Sequence, residues 1–222
     1  MRQQANAVAV PVARPLLRGV LHQFAFMVAV GIGLVLVLSS DGARRMLAAT
    51  VFAGSVATML GLSALYHRVT WSVRVRPLMR RLDHAGIYAL IAGTYTPVGL
   101  LALHGAVQVV VLSVVWSGAA AATLLKLCWV QAPKWLSAVI AISLGWVGVV
   151  ALPQLVHTAG IAPVVLIAAG GIAYSAGGVV YAIRRPDPVP RVFGYHELFH
   201  ALTLVALTLQ YVAVAFFVIR PS

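Results

Sequence analysis

Long apolar runs alternate along the chain with short polar breaks. Seven runs stand out, at residues 17–38, 46–66, 85–103, 107–130, 135–152, 163–183 and 197–219. Each is close to the ~20 residues that a helix needs to cross a bilayer. Their apolar character is continuous, with no two-residue alternation, which predicts helices and not strands. The breaks carry turn and loop chemistry: Ser39-Ser40-Asp41-Gly42, a basic stretch at 68–83 with Trp71 and Pro77, His104-Gly105, and Ala132-Pro133-Lys134. The stretch 184–191 holds Pro186, Pro188 and Pro190 and should be extended and stiff. The pattern predicts an all-α integral membrane protein with seven transmembrane helices. A short segment, 1–16, precedes a membrane domain over 17–222.

Composition agrees. Of 222 residues, 62% are hydrophobic and 9% charged, against roughly 45–50% and about 25% in soluble domains. That excludes an ordinary soluble enzyme, a disordered chain and a disulfide-stapled secreted module. The lone Cys128 allows neither an intrachain disulfide nor a cysteine metal cluster, and packing within a helix is its expected role. The first run, flanked by Arg14 and Arg18, is too long for a typical signal-peptide core, and no small-x-small cleavage site follows it, so it is read as a span.

The net charge is +12. Nucleic acid is not the expected partner, because no aromatic residues interleave with the basic ones in the manner of single-strand binders. Instead the cations sort by side. Arg2, Arg14, Arg18, Arg68, Arg74, Arg76, Arg80, Arg81, Lys126, Lys134, Arg184, Arg185 and Arg191 fall on one side, and Arg44, Arg45 and Arg220 on the other. The positive-inside rule then predicts a cytoplasmic N-terminus and an external C-terminus in the plasma (inner) membrane, with lipid as the partner.

Ionisable groups within spans are costly and mark functional candidates. Asp41 and Asp187 fall in breaks, and His104 and His157 in outer loops. Asp83 and Glu197 open spans, where an acid is favoured by the helix dipole. His22, His67, His84, His196 and His200 all lie toward the cytoplasmic ends of their spans, at one depth although far apart in sequence. His196 and His200, four apart, share a helix face. With His67 they would complete a three-histidine zinc site that leaves a fourth position for water. Ser63, one turn before His67, can hydrogen-bond a histidine, that water or a substrate carbonyl, and Asp83 and His84 are available as supporting partners. A proton relay or plain structural hydrogen bonds are the other readings of these residues. The string His196-Glu197-Leu198-Phe199-His200 also fits HExxH, in which the glutamate is the general base of a metalloprotease. Nothing downstream of it is acidic or histidine, so that reading needs a further ligand from upstream.

Three blocks carry a resemblance: Ser63-Ala64-Leu65-Tyr66-His67, then Leu82-Asp83-His84-Ala85-Gly86-Ile87-Tyr88 running into Ala92-Gly93-Thr94-Tyr95-Thr96-Pro97, then His196-Glu197-Leu198-Phe199-His200. On these the chain resembles the hemolysin III family, the bacterial branch of the progestin and adipoQ receptor proteins, over nearly its whole length. It departs from the family in its first span, where Leu21-His22-Gln23 lacks a Thr-His pairing, and in an unusually arginine-rich second loop. The resemblance implies zinc on His67, His196 and His200, with Asp83 orienting the zinc-bound water. It also implies activity on ceramide-like lipids, as in animal relatives.

The preferred expectation is a zinc-dependent lipid hydrolase with Asp83 accepting the water's proton and Ser63 beside the oxyanion. Glu197, about 100° round the helix from His196, is expected to turn toward the cytosol. A non-enzymatic membrane or lipid sensor with structural zinc, and a haemolytic pore, are the alternatives.

Overall fold

A computed structural model describes residues 15–129 and 131–220. Within them the chain is all helix and connection, with no strand, as a chain with no water for its backbone groups requires. The helices are α1 (Val20–Leu38), α2 (Ala43–Arg68), α3 (Arg76–Leu101), α4 (Gly105–Cys128), α5 (Lys134–Trp146), α6 (Leu152–Ala159), α7 (Ile161–Ile183) and α8 (Tyr195–Ala213). A 3₁₀ segment, Val147–Ala151, joins α5 to α6, and a π-helical turn, Val214–Ile219, extends α8.

Among the described residues, six helical stretches are long and apolar enough to cross a membrane: α1, α2, α4, the α5–α6 unit, α7 and α8 with its extension. The chain is a multi-pass membrane protein. α3 is as long as α2, but Arg76, Arg80, Arg81 and Asp83 occupy its first turns. The basic stretch expected at 68–83 is therefore mostly helix, with a connection only at 69–75. Pro77 does not prevent this, because a proline in the first turn removes a donor that has no intrahelical partner. The fifth span also differs from expectation. It runs past Leu152 to Ala159, since Pro153 again sits at a helix start and the 3₁₀ segment absorbs the change of pitch. His157 is consequently helical. Cys128, expected to pack inside a helix, is the exposed last residue of α4. Arg2, Arg14, Val130 and Ser222 lie outside the described residues.

Large apolar side chains face outward all round: Phe24, Leu34 and Val35 on α1, Val109 and Leu124 on α4, Val165, Ile172 and Val179 on α7. Such a belt requires hydrocarbon as its solvent. The inner faces form two cores. One joins α3, α4 and the α5–α6 unit through Tyr88, Val111, Val115, Leu144 and Leu155. The other joins α1, α2, α3 and α8 through Leu36, Phe52, Met59, Leu90 and Leu207. Half of the α8 window is buried, against 11% for α7, so α8 is the central helix and α7 a peripheral one.

Close approach rests on small residues, as in membrane bundles generally. A Cβ on Gly93 of α3 would stand 2.0 Å from the Ser55 hydroxyl of α2. A Cβ on Gly19, whose φ of +77° already favours glycine, would lie 2.5 Å from the His67 Cβ. Gly19 thus lets the start of α1 settle onto the end of α2, where the candidate site begins.

Candidate metal centre

Three helices and two connections meet at one end of the bundle. α2 supplies His67 in its last turn and Ser63 one turn earlier. α8 starts at Tyr195, so His196 and His200 fall in its first two turns on one face. One ligand nitrogen from each of His67, His196 and His200 lies within 4.8 Å of the other two. The Nε2 atoms of His67 and His196 are 3.1 Å apart. Three nitrogens at tetrahedral zinc distances would be about 3.3 Å from one another, so this triad fits a metal ion after a small closure around His200. The sequence expectation that these residues meet is met in the geometry.

Asp83 reaches the triad from α3, seven residues into the helix and not at its start. Its Oδ2 is 3.9 Å from His67 Nε2 and 3.9 Å from His84 Nδ1. Ser63 neighbours Asp83, and its hydroxyl lies 2.9 Å from His22 Nδ1. His22 in turn stacks on His200, ring centroids 3.8 Å apart and planes 9° from parallel. Ser63, Asp83 and His84 thus stand around the triad, and His22 joins them. His84 stands one step back. Its Nδ1 donates to the Arg80 carbonyl at 2.6 Å, which leaves Nε2 to accept from the Tyr181 hydroxyl at 3.1 Å.

Glu197 behaves differently from expectation. It does not turn to the cytosol but is 1% exposed. It is ion-paired with Arg18 and accepts the Gly194 N–H at 2.9 Å, reaching back to satisfy the N-cap donor of α8. Helix-wheel angle alone could not show this, because the partner arrives from 179 residues earlier. The segment before α1 is itself tied in, with Leu16 and Leu17 donating to the Arg191 and Val192 carbonyls at 3.1 and 3.2 Å. The α7–α8 connection folds on itself through Val189 and Phe193, and is not the fully extended strut its prolines suggested.

The triad opens on a cavity of about 490 Å³, in the range of small-molecule sites (~300–1,000 Å³). Asp83 and Ser63 line it, with apolar walls that include Ile87, Ile91 and Ile142. Tyr181, Tyr195 and Lys126 also line it, and sequence reasoning passed them over. Only the absence of any acid near Lys126 hinted that it is more than a loop cation.

The haemolysin-III related family matches residues 11–211. The chain is 29% identical over 171 residues to "Hemolysin-3 homolog" of Bacillus subtilis (strain 168), covering 77% of each protein. It is 30% identical over 177 residues to "Hemolysin-3" of Bacillus cereus, covering 80% of this chain and 78% of the relative. A more distant similarity, 33% over 180 residues, links it to "Heptahelical transmembrane protein ADIPOR2" of Oryza sativa subsp. japonica, covering 74% of this chain and 79% of that protein. A multi-pass helical protein with a histidine cluster that can hold a metal ion, the chain belongs to the haemolysin-III related family.

Proposed function

We propose that this protein is a zinc-dependent hydrolase of membrane lipids, acting on an amide or ester bond. The observation that carries the reading is the placement of a carboxylate and a hydroxyl, Asp83 and Ser63, beside a three-imidazole ligand set at the wall of a largely apolar cavity. Three neutral nitrogens suit zinc and leave a coordination position for water. When bound, zinc supplies the Lewis acidity that makes water a nucleophile near neutral pH. Asp83 stands to hold that water and accept its proton. Ser63, held beside His22, has one O–H that can donate to the oxygen of a polarised carbonyl. The apolar walls align an acyl chain and exclude bulk water. Glu197 is engaged by Arg18 and Gly194, which argues against a metalloprotease role for the HExxH string.

In this reading α3 is the seventh span, in keeping with the heptahelical name of the rice relative. The 13-to-3 charge split supports a cytoplasmic triad end and N-terminus and an external C-terminus. Lipid then enters sideways near the inner headgroup layer of the plasma membrane.

The test is turnover of fluorescent ceramide and acyl-lipid probes by purified protein in nanodiscs, with metal content measured alongside. Asp83→Asn should retain zinc and lose most turnover. Nearly normal turnover in Asp83→Asn would remove Asp83 from the base role. A zinc-loaded wild type that turns over no probe would favour a sensor in which the ion clamps α2 to α8.

A further inference from the structure

The cavity holds more positive charge than the proposed hydrolysis uses. Arg18, Arg80, Lys126, Lys134 and Arg184 line it, and Asp83 is the carboxylate in its lining. The whole chain has four acidic residues, and none of them is paired with a lysine of this cavity. Asp41 is exposed in the turn between α1 and α2. Asp187 accepts the Tyr195 N–H at 2.7 Å. Glu197 pairs with Arg18, and Asp83 lies between His67 and His84. No ion pair among the described residues includes Lys126 or Lys134.

Lys126 is the sharper anomaly. It is 4% exposed in the last turns of α4, and the charge that acts on it is Arg80, of its own sign. Buried ammonium groups are normally paired. Lys134, at the start of α5, is held in place. Its Nζ donates to the Tyr195 hydroxyl at 2.9 Å and lies 4.6 Å over the Tyr181 ring. Those contacts use part of its donor capacity and set its charge against ring faces but against no anion. Tyr181 also donates to His84, so this basic wall abuts the residues around the triad. The α4 and α5 ends therefore bring Lys126 and Lys134 to this wall, beside Arg80 of α3, and no ion pair among the described residues neutralises either lysine.

We propose that this wall is a headgroup subsite for an anionic lipid. Lys126 and Lys134 bind a phosphate monoester, and the attached acyl chain occupies the apolar part of the cavity. The inference rests on reading the cavity as a lipid site, but on neither zinc nor hydrolysis. A phosphate suits the wall because its several acceptor oxygens can each take a charged hydrogen bond from a different residue.

The experiment measures equilibrium binding, without turnover, of phosphatidic acid and diacylglycerol carrying the same fluorescent acyl chain. The proteins, all full length in nanodiscs, are wild type, Lys126→Gln, Lys134→Gln, Lys126→Arg and the exposed far-end control Arg45→Gln. Wild type should prefer phosphatidic acid by about tenfold or more, the effect of one charged hydrogen bond. Each glutamine variant should lose most of that preference while holding diacylglycerol as wild type does, which also reports that it is folded. Lys126→Arg and Arg45→Gln should keep the preference. Equal affinity of wild type for the two lipids, or an undiminished preference in both glutamine variants, would overturn the proposal. So would a control that loses as much as Lys126→Gln, which would mark a diffuse surface effect. Inorganic phosphate should compete only weakly, and competition as potent as that of the lipid would make free phosphate the ligand and refute the lipid assignment. Failure of ceramide turnover with the preference intact would count against hydrolysis alone.

Discussion

Glu197 divides two accounts of the HExxH string, and its surroundings allow the consequence of replacing it to be worked out. The side chain is 1% exposed, pairs with Arg18 and accepts the Gly194 N–H at 2.9 Å. Glu197→Gln keeps the shape and leaves an amide oxygen for Gly194, but removes the charge facing Arg18. Hydrogen bonds to charged groups contribute ~1.5–3 kcal/mol. Arg18 is 21% exposed, so water compensates in part and the lower end applies. The first turn of α8 also loses an acid worth ~0.3–1 kcal/mol against the helix dipole. The expected destabilisation is about 2 kcal/mol. Glu197→Ala loses the cap as well and leaves Arg18 unpaired, for about 3–5 kcal/mol. Unfolding in nanodiscs, followed with zinc content and lipid turnover, gives the test. Both variants should be less stable, alanine more so, with zinc and turnover per folded molecule largely kept. Wild-type stability in Glu197→Gln would mean that the Arg18 pair contributes nothing. Abolished turnover at full zinc would make Glu197 the working carboxylate.

His22→Ala removes the ring stacked on His200 and the partner of Ser63, so zinc affinity in a competition titration should fall about 10–100-fold, the usual cost of losing a group that orients a ligand; unchanged affinity would leave His22 a packing residue. Orientation is checked by single cysteines in a Cys128→Ala background. An impermeant maleimide should label Asp41→Cys on intact cells and Ser72→Cys only after permeabilisation, and the reverse pattern would invert the topology.

The apolar runs located the helices well because a bilayer-spanning helix is specified by length and continuity of apolar residues. What the runs could not show were polar helix ends. α3 begins at Arg76, since Pro77 and the arginines fit a first turn as readily as a loop. The triad was legible because His67, His196 and His200 share a depth, which follows from span boundaries, and His196 and His200 share a helix face, which follows from their four-residue spacing. The engagement of Glu197 was not legible, because Arg18 is distant in sequence and its approach depends on how the chain before α1 docks. Lys126 read as a loop cation, and its burial follows from the packing of α4 against α3, which no local pattern encodes.

The central claim is that one metal ion joins α2 to α8 through three imidazoles. Metal analysis of the purified protein, wild type beside His67→Ala, His196→Ala and His200→Ala, tests it most directly. The account predicts about one zinc per chain in wild type and a large loss in each variant. Thermal stability should fall on chelation in wild type and be insensitive to it in the variants. Full zinc occupancy in His67→Ala, or a metal-free wild type whose stability does not change when zinc is added, would contradict it.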